Sequence, residues 1–184
     1  MASPAYDDIV ELIGEANGNG PGSSAATDSG TDSAAVDTGS DDGVLSTGSI
    51  VLGGRARSRD DAIDEAGRLL VRAGAVDEGY VTSMHDRETS VSTFMGNGLA
   101  IPHGTNDAKS SIRRTALSFI RYDEPIDWKG SPARYVVGIA GAGDDHLTVL
   151  QSLAGAFTDD DSIAALDAAQ TPDDVLAVLG DVST

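Results

Sequence analysis

A chain of 184 residues with 40% hydrophobic but only 4% aromatic content can bury one sizeable core, built from Val, Ile, Leu and Ala rather than from rings. Its formal charge of −18, from 30 acids against 12 Lys and Arg, leaves no basic patch to displace the counterions of a nucleic acid, which is therefore not expected as a partner. Without cysteine there is no disulfide, thiolate or Cys-ligated metal, and no apolar run approaches membrane-spanning length.

The acids are unevenly spread. Nine fall within the first 43 positions, which hold no Lys or Arg, and only two lysines, Lys109 and Lys129, occur in the whole chain. An acidic, lysine-poor surface predicts adaptation to high salt, where charge repulsion is screened and carboxylate hydration keeps the protein soluble, with an ordinary acidic mesophilic protein as the alternative. The opening MASPAYDDIVELIGEA lacks the basic and continuous apolar regions of a secretory signal, so the cytoplasm is the expected location.

Residues 6–16 predict a short amphipathic helix carrying Ile9, Val10, Leu12 and Ile13, too short to be stable alone. Residues 17–43, made mostly of Gly, Ser, Ala, Thr and Asp, cannot repay their ordering entropy and read as an acidic linker. Residues 1–43 thus form an N-terminal extension, and a folded domain is expected over 44–184.

In that domain SIVL (49–52) predicts a strand. Ser58, with Asp61 three residues on, caps a helix whose Ile63, Ala66, Leu69 and Leu70 lie at helical spacing before Gly74. A second helix is expected from Asp77 towards Arg87, with Tyr80, Val81 and Met84 inward. STFMGNGLAIPHG reads as strand, glycine turn and strand, and TALSFIRY (115–122) and ARYVVGIAG (133–141) as apolar strands. DDHLTVLQSLAGAF (144–157) returns to helical spacing, with Leu147, Leu150, Leu153, Ala154 and Phe157 on the expected buried face. DSIAALDAA predicts a further helix, and TPDDVLAVLG another, capped by Thr171, begun by Pro172 and stopped by Gly180. Strands interleaved with helices predict a single α/β domain: a small mixed sheet flanked by helices on both faces.

Chemistry concentrates on few residues. His103 ends an apolar strand between Pro102, which fixes φ, and Gly104, which permits close backbone approach; strand ends of open α/β sheets are where sites gather. A histidine so placed is either structural, bonded to a carbonyl, or held for chemistry, and spacing alone leaves both open. His146 follows two aspartates at a helix start and reads as a first-turn polar residue or an anion contact. Arg87 ends the second helix, as a surface cation or as a bidentate phosphate ligand. His85 is given no chemistry. With no HxH, HExxH or cysteine, no metal site or cofactor is expected. A phosphoryl-accepting histidine fits better, with Arg87 and His146 as donors, and since no nucleotide loop is present the phosphate donor would be another protein.

DRETSVSTFMGNGLAIPHGT, AKSSIRRTALSFIRYDEPIDWKG and YVVGIAGAGDDHLTVLQSLAGAF, taken together and in order, resemble the mannitol/fructose-type enzyme IIA (EIIA type-2) domains of the phosphoenolpyruvate-dependent sugar phosphotransferase system over roughly residues 45–180. GT and AK after the histidine, IDWKG, and VVGIAG before DDHL are similar to the mannitol branch. The resemblance implies an α/β sandwich and a phosphotransferase component. It aligns His103 with the phosphorylated histidine, Arg87 with the phosphate-stabilising arginine, and His146 with the second active-site histidine, Asp145 replacing a family Glu. Such domains take phosphate from the carrier HPr and pass it to a IIB component serving a IIC permease, without entering the membrane themselves. A regulatory IIA-like phosphoprotein, switched by phosphorylation of His103, is the alternative. Met95, Leu99 and Ile101 are the candidates for an apolar rim that meets partners, some of which strand alternation must bury, with Ser92 and Thr93 as further hydroxyl donors.

Overall fold

The computed structural model describes residues 43–142 and 145–180, and of residues 145 and 146 the backbone alone. The helix expected over 6–16 and almost all of the linker lie outside the described residues. Five strands form one mixed sheet in the order β1-β4-β5-β3-β2: β1 (Leu45–Leu52), β2 (Phe94–Gly96), β3 (Leu99–Ala100), β4 (Ala116–Trp128) and β5 (Ser131–Ala140). β1 runs parallel to β4 and β3 parallel to β5, while the β4–β5 and β2–β3 pairs are antiparallel.

Alternation along β4 sends Ala116, Ile120 and Tyr122 to one face and Leu117 and Phe119 to the other. The first face is covered by α1 (Arg59–Arg72) and α2 (Gly79–Ser90), through Ile63, Ala66, Leu70, Tyr80 and Met84. The second is covered by α3 (Asp145–Ala156), α4 (Asp160–Ala168) and α5 (Pro172–Leu179), through Val149, Leu153, Leu166, Val175 and Leu179. Burying both faces of the central strands explains why TALSFIRY and ARYVVGIAG read as nearly continuous apolar runs. Small residues bring α1 close: a Cβ on Gly138 would meet the Ser118 hydroxyl at 2.5 Å and the Ala66 methyl at 3.2 Å. The Ser118 hydroxyl donates to the Ala66 carbonyl at 3.0 Å, so the polar atom in this contact is satisfied.

The capping signals act as the sequence indicates. Ser58 accepts from the Asp61 amide, and Thr171 with Asp174 forms a reciprocal capping box with Pro172 in the first turn. On the second face Arg121 Nη1 donates to the carbonyls of Leu166, Asp167 and Ala169 at 2.7, 2.9 and 2.8 Å. These are carbonyls at the end of α4, which have no partner within the helix, so β4 itself closes that helix end.

Two expectations are corrected. β4 is longer than TALSFIRY, continuing through Asp123–Trp128 past a register shift between Arg121 and Ile126 that accommodates Pro125. In α3 the buried residues are Val149, Leu153 and Phe157 (which follows the helix), whereas Leu147 is 54% exposed. The apolar stripe is therefore rotated from the one read through the leucines, because a leucine-rich helix also leaves apolar side chains at its rim.

Candidate active site

The site is built where β3 ends. Residues 101–103 continue beside β5, with the Ile139 amide donating to the Pro102 carbonyl at 3.0 Å and a parallel bridge pairing His103 with Ile139. Pro102 spends no amide here, since proline has none, and presents its carbonyl to the sheet. His103 then leaves the ladder half-buried, at the wall of a cleft of about 730 Å3.

The imidazole is oriented by its own strand: Nδ1 lies 2.8 Å from the Ile101 carbonyl oxygen. A carbonyl only accepts, so Nδ1 carries the proton and, in the neutral ring, Nε2 carries the lone pair. The following residue is held by a buried phenol. Tyr80, on the first turn of α2, donates its hydroxyl to the Ile139 carbonyl at 2.8 Å and accepts from the Gly104 amide at 2.9 Å. Burial pushes this phenol's pKa up, with the Gly104 amide opposing in part, so it stays neutral and able to donate.

Gly104 is required by this contact. A Cβ there would stand 2.5 Å from Tyr80 Cε2 and 2.6 Å from Ser83 Oγ, both buried. Gly104→Ala should therefore lower stability by about 1–3 kcal/mol, a typical overpacking cost, and displace the His103 backbone. Denaturant unfolding measures the first and the His103 ring resonances the second; a variant matching wild type in both would remove the steric role.

Arg87 lies in the last turn of α2 and also lines the cleft. Its Nη1 donates to the Val91 carbonyl at 3.0 Å, which pre-orients the guanidinium. Ser92, Thr93, Met95, Lys109 and Leu150 share the walls with it. Thus His103 and Arg87, sixteen positions apart in sequence, meet at one cleft. His146 falls within the first turn of α3, as its sequence context suggests, and its side chain lies outside the described residues.

The expected hydroxyl donors divide. The buried Thr93 hydroxyl already donates to Glu88 Oε2 at 2.6 Å, and its amide donates to the same oxygen at 2.7 Å, so Thr93 has no proton left for a phosphate. Ser92 is exposed and accepts only a long 3.4 Å contact from the Phe94 amide. The apolar rim is thinned by strand alternation, as expected, although Ile101 still lines the cleft. Met95 is 53% exposed at the cleft, while Leu99 and Ile101 are buried in the second core by strand alternation.

Sequence reasoning passed over Glu88. This carboxylate is 1% exposed and takes, besides the two Thr93 bonds, an ion pair from Lys129 Nζ at 3.3 Å. Burial raises its pKa, but the Thr93 hydroxyl and amide and the Lys129 ammonium outweigh that and hold it below the usual carboxylate range. It therefore contributes stability that is present at neutral pH and lost as pH falls through the lowered value. The available signal was an acid directly after Arg87, together with one of only two lysines placed before Gly130.

Comparison with known proteins supplies the family. The family "Phosphoenolpyruvate-dependent sugar phosphotransferase system, EIIA 2" matches residues 44–182. The mannitol-specific phosphotransferase enzyme IIA component of Halalkalibacterium halodurans is 43% identical, covering 73% of this chain and 93% of that protein. Its counterpart in Bacillus subtilis is 37% identical, covering 73% and 95%. Among solved structures, the crystal structure of IIA mannitol from Escherichia coli superposes with a TM-score of 0.68 at 37% identity, over 73% of this chain and 98% of that one. The same bacterium's IIA mannitol in complex with phosphorylated enzyme IIB gives a TM-score of 0.69 at 35% identity, over 74% and 97%. A sheet in this order, with a histidine just past the end of β3 and an arginine lining the same cleft, thus occurs on a chain that belongs to the EIIA type-2 family of the phosphoenolpyruvate-dependent sugar phosphotransferase system.

Proposed function

We propose that this chain is a phosphocarrier of sugar uptake, accepting a phosphoryl group on His103 from phosphorylated HPr and passing it to a IIB component for a sugar of the mannitol or fructose class. The observation that carries this is the His103–Ile101 hydrogen bond, which leaves the ring's lone pair on Nε2 in a cleft lined by Arg87. In the accepting step that lone pair forms a bond to phosphorus in line, the nitrogen–phosphorus bond of the donor breaks, and its electron pair returns to the donor's ring. The histidine now bears the phosphoryl group, and the reverse displacement delivers it to the acceptor. Arg87 opposes the charge on the equatorial oxygens.

His146 is assigned the second contact to those oxygens. The assignment rests on the resemblance that aligns it with the family's second active-site histidine. The Ser92 hydroxyl supplies a further donor. Little covalent work is asked of the protein, so positioning and charge supply the rate. The mannitol-specific relatives favour a hexitol over fructose as the sugar served. Among the described residues no helix is long and apolar enough to cross a membrane, in keeping with a cytoplasmic carrier that serves a separate permease.

Incubation with phosphoenolpyruvate, enzyme I and HPr should place an acid-labile, base-stable phosphate on the protein, and adding a mannitol-type IIB should discharge it. A protein that takes no label under these conditions is not a phosphocarrier. One observation favours a second role: the nitrogen regulatory protein IIA-Ntr from Neisseria meningitidis is 30% identical with a TM-score of 0.65. In that reading the same phosphohistidine controls a partner, and labelled protein that no IIB discharges would support it.

The net charge of −18 is assigned to life in high salt. Transfer between this chain and an equally acidic partner should then accelerate as salt is added, because repulsion between them is screened within about 10 Å at 0.1 M. Stopped-flow transfer rates that are flat or falling with salt, the fold being intact, would remove this assignment.

A further inference from the structure

A continuous set of contacts joins the β4–β5 hairpin to the His103 ring. It begins at the two-residue turn Lys129-Gly130, where both φ angles are positive, +54° and +90°. Trp128 pairs with Ser131 across this turn, the geometry of a tight hairpin. Glycine adopts such a φ freely and lysine does so only under constraint, so Lys129 is held where its side chain reaches α2. Its Nζ lies 2.7 Å from the Glu88 main-chain oxygen and 3.3 Å from Glu88 Oε1.

Glu88 passes the constraint on. Its Oε2 takes both the amide and the hydroxyl of Thr93, a residue between α2 and β2. The Thr93 carbonyl accepts from the Ile101 amide at 3.0 Å, and the Ile101 carbonyl accepts from His103 Nδ1 at 2.8 Å. Every link is a hydrogen bond or an ion pair, and Glu88, Thr93 and Ile101 are all buried. A buried carboxylate held by two hydrogen bonds and one ion pair costs more to retain than an apolar side chain unless its geometry is used.

We propose that Glu88, anchored by Lys129, is a positioning residue for the His103 ring, fixing Thr93 and through it the Ile101 carbonyl that selects the Nδ1–H tautomer. Glu88 touches neither the ring nor a phosphoryl group. It acts by holding the carbonyl to which Nδ1 donates, so that the lone pair stays on Nε2 and aims into the cleft. A loosened Ile101 carbonyl releases the ring to rotate and to exchange tautomers, which costs rate without removing the nucleophile. The rate consequence rests on the reading of His103 as the phosphoryl acceptor; the tautomer consequence does not.

The test uses the full chain with Glu88→Ala, Glu88→Gln and Thr93→Val. Nitrogen-15 spectra of the unphosphorylated protein report the His103 tautomer directly. Wild type should show Nδ1 protonated, Glu88→Ala a mixture of tautomers, and Glu88→Gln, whose amide oxygen still accepts from Thr93, a pattern nearer wild type. Transfer from phosphorylated HPr should fall about tenfold at saturating donor in Glu88→Ala with KM unchanged, the signature of a displaced nucleophile. Should Glu88→Ala not fold, Thr93→Val decides: it deletes one donor to Glu88 at constant volume and should shift the tautomer in the same direction. A folded Glu88→Ala, or failing that a folded Thr93→Val, with wild-type His103 nitrogen shifts overturns the proposal. A wild type that shows the tautomer pattern but takes no phosphate would sink the carrier reading and leave the positioning role standing.

Discussion

His103→Ala should abolish the acid-labile label completely while leaving a folded protein. Both halves follow from the same bond. One hydrogen bond of the ring runs within its own strand, from Nδ1 to Ile101, and the neighbouring Pro102 and Gly104 are held by bonds to the Ile139 amide and to the Tyr80 hydroxyl. Losing one such side-chain bond costs about 1 kcal/mol, which a domain with two packed cores tolerates. Phosphoryl acceptance has no substitute. His85 is held by Asp64 at 2.7 Å and does not line the cleft. The protonated Nδ1 also predicts which isomer forms in wild type: phosphate on Nε2, distinguishable by phosphorus NMR. Label surviving on folded His103→Ala, or an Nδ1 phosphate in wild type, would refute the assignment.

How far the sequence carried depended on whether each signal was local. Ser58 with Asp61, and Thr171 with Pro172 and Asp174, are short-range grammars, and both helix starts fall where they indicate. His103 between Pro102 and Gly104 was likewise legible, down to the close approach that Gly104 permits. What a local reading could not supply was pairing across the fold. β4 extends through charged and proline-containing residues because β5 runs beside it to Ser131, not because DEPIDW favours a strand. Thr93 reads as a free hydroxyl until Glu88 is found beside it in a buried turn. Leu147 reads as core by type, and the packing of α3 selects Val149 instead. In each case a distant partner overrides a local preference.

Arg87→Ala should keep the fold and slow phosphoryl transfer in both directions on the order of 10²-fold, the usual loss when one preorganised charge donor is withdrawn from a developing anion. The guanidinium is suited to this because it is oriented before substrate arrives: one of its nitrogens is spent on the Val91 carbonyl, and the residue lines the cleft that His103 shares. Removing it costs little stability, since its one side-chain hydrogen bond among the described residues is to the exposed Val91. Arg87→Lys restores the charge but not the fork, and a lysine reaching the phosphate gives up the contact to Val91. It should therefore recover only part of the rate, with the shortfall at saturating donor. The paired rates of acceptance from HPr and donation to IIB separate this from a docking defect, which raises KM and leaves the saturated rate alone. Wild-type saturated rates in a folded Arg87→Ala would assign the arginine to the surface, as a C-terminal helix cation and nothing more.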